Sequence, residues 1–88
     1  MSEKSFALLR HDGQIFAFEE EEIRLGRSST NQVVISDPAV SRSHARILVS
    51  GGQCWLRDEN SAGGTYLNDQ RVQGQQAIHI NDVITIGN

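Results

Sequence analysis

The most restrictive property of this sequence is its rhythm. No segment carries apolar residues at i, i+3, i+4 and i+7 through three turns, whereas short apolar stretches return roughly every eight to ten residues, the spacing of strands joined by tight turns. Phe6 to Arg10 and Gln14 to Phe18 flank His11-Asp12-Gly13, and Asp-Gly between apolar runs predicts a hairpin because glycine accepts positive φ. The acids Glu19 to Glu22 read as a solvated turn, followed by a third strand at Ile23-Arg24-Leu25. Gln32 to Ile35 reads as a short strand stopped by Asp37-Pro38, since proline fixes φ and cannot donate to a ladder. From His44 to Val49, the residues Ala45, Ile47 and Val49 alternate onto one face, and Gly51-Gly52 turns that strand into Cys54-Trp55-Leu56-Arg57. Thr65-Tyr66-Leu67, a piece around Arg71-Val72, Ala77 to Ile80, and Val83 to Ile86 after an Asn81-Asp82 turn complete the series. About ten short strands at this spacing predict an all-β sandwich or a small barrel.

Composition narrows the functions open to such a fold. A chain of 88 residues supports one hydrophobic core, so residues 1–88 are expected to form a single domain. The formal charge of −3, with one lysine and seven arginines, gives no broad positive field, and five aromatics leave little for base stacking. Nucleic acid is therefore not an expected partner. His11, His44 and His79 are scattered and Cys54 stands alone, so neither a metal site nor a cofactor is expected. The lone cysteine and the lack of a signal-peptide pattern predict a reducing, cytoplasmic setting. Apolar runs such as Ile47-Leu48-Val49 fall far short of the ~20 residues that cross a bilayer, so no membrane span is expected.

Three loops carry the chemistry, because a β-sandwich gathers its loops at two ends. The first is Gly26-Arg27 with Ser28-Ser29-Thr30-Asn31, the second Ser41-Arg42-Ser43-His44, and the third runs from Asp58 through Ser61-Ala62-Gly63-Gly64-Thr65 to Asn68. A phosphate ester carries about −1.5 to −2 charges and three strong acceptor oxygens, and calls for a guanidinium and short hydroxyl or backbone donors on rigid elements. Arg27, Ser41 and Arg42 supply such groups.

A Gly-Arg after a strand, then Ser-x-x-His, then Ser-x-x-Gly-Thr-x-x-Asn, in this order and at these spacings, resembles the forkhead-associated (FHA) domain family. The resemblance spans Ile23 to Gly87 and includes the closing Asn81-Asp82-Val83-Ile84-Thr85-Ile86-Gly87. It implies an FHA-like sandwich of two mainly antiparallel sheets with the binding loops clustered at one end. It also implies a signalling module that recognises phosphothreonine on a partner protein, a Ser/Thr kinase substrate. Arg27, Ser41 and Arg42 then match the phosphate-binding positions, and Ala62, Gly63 and Asn68 the peptide-contacting ones. Gly26, His44, Ser61, Gly64 and Thr65 match residues that brace the site.

One position departs from the family. FHA domains commonly carry Asn immediately before this Gly-Thr, where its amide hydrogen-bonds the bound peptide, whereas here the residue is Gly63 after Ala62. That change keeps a second reading open, an FHA-fold scaffold that mediates phosphate-independent interaction or oligomerisation. The family also continues past the matching glycine into a final strand, so the chain is expected to lack it, leaving an edge at which a homodimer is a further expectation. An enzyme is not expected. A triad of Ser41 or Ser43 with His44 and Asp58 lacks an oxyanion-hole motif, and Ser43 next to His44 on an extended strand points to the opposite face.

Overall fold

The computed structural model describes residues 7–11 and 14–87, with side chains from residue 19 onward. Ten strands are present: β1 (Ala7–His11), β2 (Gln14–Phe18), β3 (Glu22–Gly26), β4 (Val33–Val34), β5 (Ala45–Ser50), β6 (Gln53–Asp58), β7 (Thr65–Leu67), β8 (Gln70–Arg71), β9 (Gln75–Ile78) and β10 (Ile84–Ile86). They form a five-stranded sheet in the order β4-β3-β5-β6-β9 and a three-stranded sheet β10-β7-β8, while β1 and β2 pair as a separate antiparallel ladder. There is no helix among the described residues, and so none long and apolar enough to cross a membrane. The Asp12-Gly13 turn expected between β1 and β2 lies outside the described residues.

Alternation builds the core. Ala45, Ile47 and Val49 of β5 are all buried while Arg46 and Leu48 are not, as the period of two requires. Register places Ile23 of β3 opposite Ile47, and Ile47 opposite Leu56 of β6, so three wholly buried aliphatic side chains line up across the middle of the large sheet. Leu67 and Val72 from the β7–β8 region cover them, with Ile84 and Ile86 packed at the margin. Burying each such side chain is favourable by about 1.5–3 kcal/mol before entropy is counted. Gly51 and Gly52 link β5 to β6 with φ of 60° and 79°, the two positive values of a tight hairpin turn whose twist suits the strands.

Two elements differ from the sequence expectation. The strand expected over Ala77 to Ile80 lies earlier, at Gln75–Ile78, because the amide of His79 donates to Asp82 Oδ2 at 2.7 Å and Asn81 turns at φ 75°. That turn leaves Ile80 91% exposed. Strand β4 runs parallel to β3, with Leu25 opposite Val33, so loop 27–32 folds back on itself within six residues. Because β5 is antiparallel to both β3 and β6, with Leu25 opposite Ala45 and Ala45 opposite Asp58, the end of β3, the start of β5 and the end of β6 share one end of the sheet.

Candidate functional site

At that shared end the three loops are joined mainly through backbone atoms. Arg27 N donates to Ser41 O at 2.9 Å and Ser28 N to Arg42 O at 3.2 Å, which lays the first loop against the second. Gly26 makes this approach possible: a Cβ there would collide with Arg42 O and lie 2.8 Å from Asn31 Nδ2. Asn31 is buried at the junction and donates through Nδ2 to both Ser28 O (2.8 Å) and Arg42 O (2.7 Å). The Arg27 guanidinium donates from Nε to Val40 O at 2.9 Å, which fixes its direction while the residue stays exposed. Its four terminal N–H donors have no hydrogen-bond partner among the described residues.

His44 joins the second loop to the third. It is wholly buried, accepts from Ser41 N at Nδ1 (3.0 Å) and lies 2.8 Å from Gly64 O through Nε2. The backbone N–H can only donate, so Nδ1 is the acceptor and Nε2 carries the proton given to Gly64. Ala62 N donates to Ser41 Oγ at 3.0 Å, so this hydroxyl already has one donor directed at it and keeps its own proton for an outside acceptor. Arg42 contributes its backbone to the loop junction, and its exposed side chain forms no hydrogen bond or ion pair among the described residues.

The third loop is shaped by Asp58. Its Oδ1 accepts from the hydroxyls of Ser61 and Thr65, both at 2.6 Å, and its Oδ2 from Ser61 N at 3.1 Å, while Ser61 Oγ in turn accepts from Gly64 N at 2.9 Å. Burial opposes the charge on Asp58, but the Ser61 and Thr65 hydroxyls and the Ser61 amide outweigh it and hold its carboxyl below the ordinary carboxylate range. The negative charge of Asp58 is thus engaged inside the loop, while the side chains of Arg27 and Arg42 stand exposed at the same end. Such a surface suits a compact anion.

The structure brings Gly26, Arg27, Ser41, Arg42, His44, Ser61, Ala62, Gly63, Gly64 and Thr65 to one end. Ala62 and Gly63 are exposed there, and His44 and Thr65 are interior braces. Asn68 is not brought to this surface. It follows β7 at the end away from Ala62, and its amide is engaged elsewhere, Nδ2 donating to Asp82 Oδ1 at 3.0 Å and Oδ1 accepting from Val83 N at 2.9 Å. The peptide contact expected of Asn68 is therefore replaced by closure of two turns. Sequence reasoning missed Asn31 as the fastener of two loops and weighed Asp58 only as a triad acid. An Asn or Asp beside Ser and Gly in a short loop is the signal available for both.

Comparison with known proteins agrees with this architecture. The FHA domain family model matches residues 23–87. The ABC transporter ATP-binding/permease protein Rv1747 of Mycobacterium tuberculosis is 39% identical over 66 residues, covering 75% of this chain and 8% of that protein. Mycobacterium tuberculosis EmbR, solved in complex with a low-affinity phosphopeptide, superposes with a TM-score of 0.82 at 27% identity over 85% of this chain and 20% of EmbR. A domain solved in a structural and functional analysis of phosphothreonine-dependent FHA domain interactions superposes at 0.80 with 30% identity, over 93% of this chain and 84% of that one. The chain spans less than a tenth of Rv1747 and about half of the FhaB protein of Mycobacterium tuberculosis that it also matches. With its three loops joined at one end of the sandwich and the family match running from β3 to the end of β10, the chain belongs to the FHA domain family.

Proposed function

We propose that this domain is a binding module that docks a phosphothreonine of a partner protein, a Ser/Thr kinase substrate, on Arg27, Ser41 and Arg42. One observation carries the reading. Arg27, exposed and held by its Nε at Val40 O, and Ser41, whose Oγ already accepts from Ala62 N, sit on backbone-linked loops with their remaining side-chain donors unpartnered among the described residues. A dianionic ester supplies the acceptors those donors lack. The phosphopeptide complex of EmbR and the phosphothreonine-dependent domain among the structural relatives support the same chemistry. A non-catalytic role is supported by His44, whose two ring nitrogens are both engaged by backbone groups and so are not free to act as base for Ser41. A cytoplasmic setting is part of the proposal and rests on the lone free Cys54. Self-association draws no support from the relatives and forms no part of it.

The test is a pair of isothermal titrations with a phosphothreonine peptide selected from a degenerate library and its unphosphorylated twin, on wild type and Arg27→Ala. Each charge-assisted hydrogen bond contributes about 1.5–3 kcal/mol, so loss of two from Arg27 weakens binding by at least about a hundredfold. The unphosphorylated peptide is expected not to bind. The second reading, a phosphate-independent scaffold, is favoured by Ala62 and Gly63 standing where peptide-reading side chains are expected. Equal binding of both peptides, or full affinity in Arg27→Ala, decides for it.

A further inference from the structure

Just before the second loop lies a turn to which the phosphate-docking reading gives no task. Asp37-Pro38-Ala39-Val40 is closed by Val40 N donating to Asp37 O at 2.9 Å, and Ala39 is not among the residues of positive φ. That combination is a type I turn, with Asp at its first position and Pro at its second, where each is favoured. The side chain of Asp37 reinforces it, Oδ1 accepting from Ala39 N at 2.8 Å. One residue thus holds two successive amides of the turn, one through its carbonyl and one through its carboxylate.

The turn delivers the carbonyl of Val40, which accepts from Arg27 Nε at 2.9 Å, and leads straight into Ser41. Its other contacts show how closely it is fitted. Val40 is buried, and Gly87, at φ +80° just after β10, passes against it: a Cβ there would lie 2.9 Å from Val40 Cγ2 and 3.4 Å from Asp37 Oδ2. On the other side, a Cβ at Gly63 would meet Ala39 O at 3.6 Å. The direction of Arg27 therefore depends on a turn set between the first loop, the third loop and the end of β10. An arginine has many rotamers, and one with a free Nε must be ordered at the moment it meets its anion, at a cost in affinity.

We propose that Asp37 is a positioning residue of the phosphate site, closing the 37–40 turn so that the Val40 carbonyl holds Arg27 in place before the anion arrives. It acts through Arg27, and the inference rests on the phosphothreonine reading of the site. The role requires the acceptor oxygen and not the charge. The Ala39 amide needs only a short side-chain acceptor, and a negative charge at this end opposes an incoming dianion.

The experiment compares wild type with Asp37→Ala, Asp37→Asn and Asp37→Glu. Asn keeps the short acceptor and removes the charge, whereas Glu keeps the charge on a side chain one carbon too long for the same turn. Isothermal titration with the library-selected phosphothreonine peptide reads affinity, and thermal melts establish that each variant is folded. The Arg27 Nε–H resonance of the free domain, with its rate of exchange with water, reads the bond to Val40 O. Asp37→Ala and Asp37→Glu are expected to bind about threefold to tenfold more weakly, the cost of ordering one long side chain, with faster exchange at Arg27. Asp37→Asn is expected to bind at least as tightly as wild type, with unchanged exchange. Asp37→Glu carries the same comparison where Asp37→Ala does not fold. Wild-type affinity in both, a loss of affinity with unchanged exchange at Arg27, or Asp37→Asn binding as weakly as Asp37→Ala overturns the role of Asp37 while leaving phosphate docking standing. Equal binding of the phosphorylated peptide and its unphosphorylated twin by wild type overturns the docking reading, whereas the Arg27 resonance, read without ligand, still decides whether Asp37 sets its position.

Discussion

Ser41 is the residue on which the three loops converge. Its amide donates to His44, its carbonyl accepts from Arg27 and its hydroxyl oxygen accepts from Ala62, so every heavy polar atom it owns fixes a different neighbour. Two residues from its partner Ala62 stands Gly64, whose φ of +86° strains any residue with a side chain, but Gly63 is different. Its φ is not in the left-handed region, and a Cβ there would meet only Ala39 O, at 3.6 Å. Gly63→Asn therefore fits without strain, removes the backbone freedom of a glycine and adds an amide for peptide backbone. One or two new hydrogen bonds at about 0.5–1.5 kcal/mol each predict roughly tenfold tighter phosphopeptide binding by titration, and an unchanged constant would show that position 63 does not face peptide.

Loop 59–64 has its own electrostatic signature. Asp58 has its pKa lowered in the fold by the hydrogen bonds of Ser61 and Thr65, so its stabilisation is fully present above the ordinary carboxylate value of about 3.9. That stabilisation declines as pH drops below that value and is gone once pH has fallen through the lowered folded value. Asp82, whose pKa is lowered by hydrogen bonds from Asn68 and His79, titrates in the same sense. Asp58→Asn is expected to be less stable than wild type at pH 7 and to lose less on acidification below pH 4, with the residual slope belonging to Asp82. Urea melts at a series of pH values check this, and parallel acid limbs for the two proteins would refute it. The elements themselves were largely legible, because Ala45, Ile47 and Val49 alternate without interruption and Gly51-Gly52 leaves one turn geometry. The β9 boundary was not legible. There, apolar Ile80 argued for strand, and the polar turn from His79 to Asp82 won. The parallel direction of β4 was hidden as well, since two residues carry no directional signal.

Across the whole molecule, stability rests on a small aliphatic centre, with Leu56 wholly buried on β6, an interior strand of the large sheet. Leu56→Ala removes side-chain contacts from a place with little room to collapse, at a cost of about 2–5 kcal/mol. Domains of this length have in total about 5–10 kcal/mol, so the urea midpoint, followed by the fluorescence of half-buried Trp55, is expected to fall by about a fifth or more. The site was readable as three loops but not as a circuit. Asn31 and the carbonyls of Val40, Ser41, Arg42 and Gly64 act through the path of the backbone, which residue types alone do not reveal. That same wiring separates grip from grammar. Since main-chain atoms seat Arg27 and Ser41, the exposed positions 62 and 63 lend no side chain to that wiring, and on the proposed phosphothreonine reading they can be rewritten for a different target sequence without resetting the clamp. Exchanging those two residues is then a route to domains of altered taste on an unaltered frame.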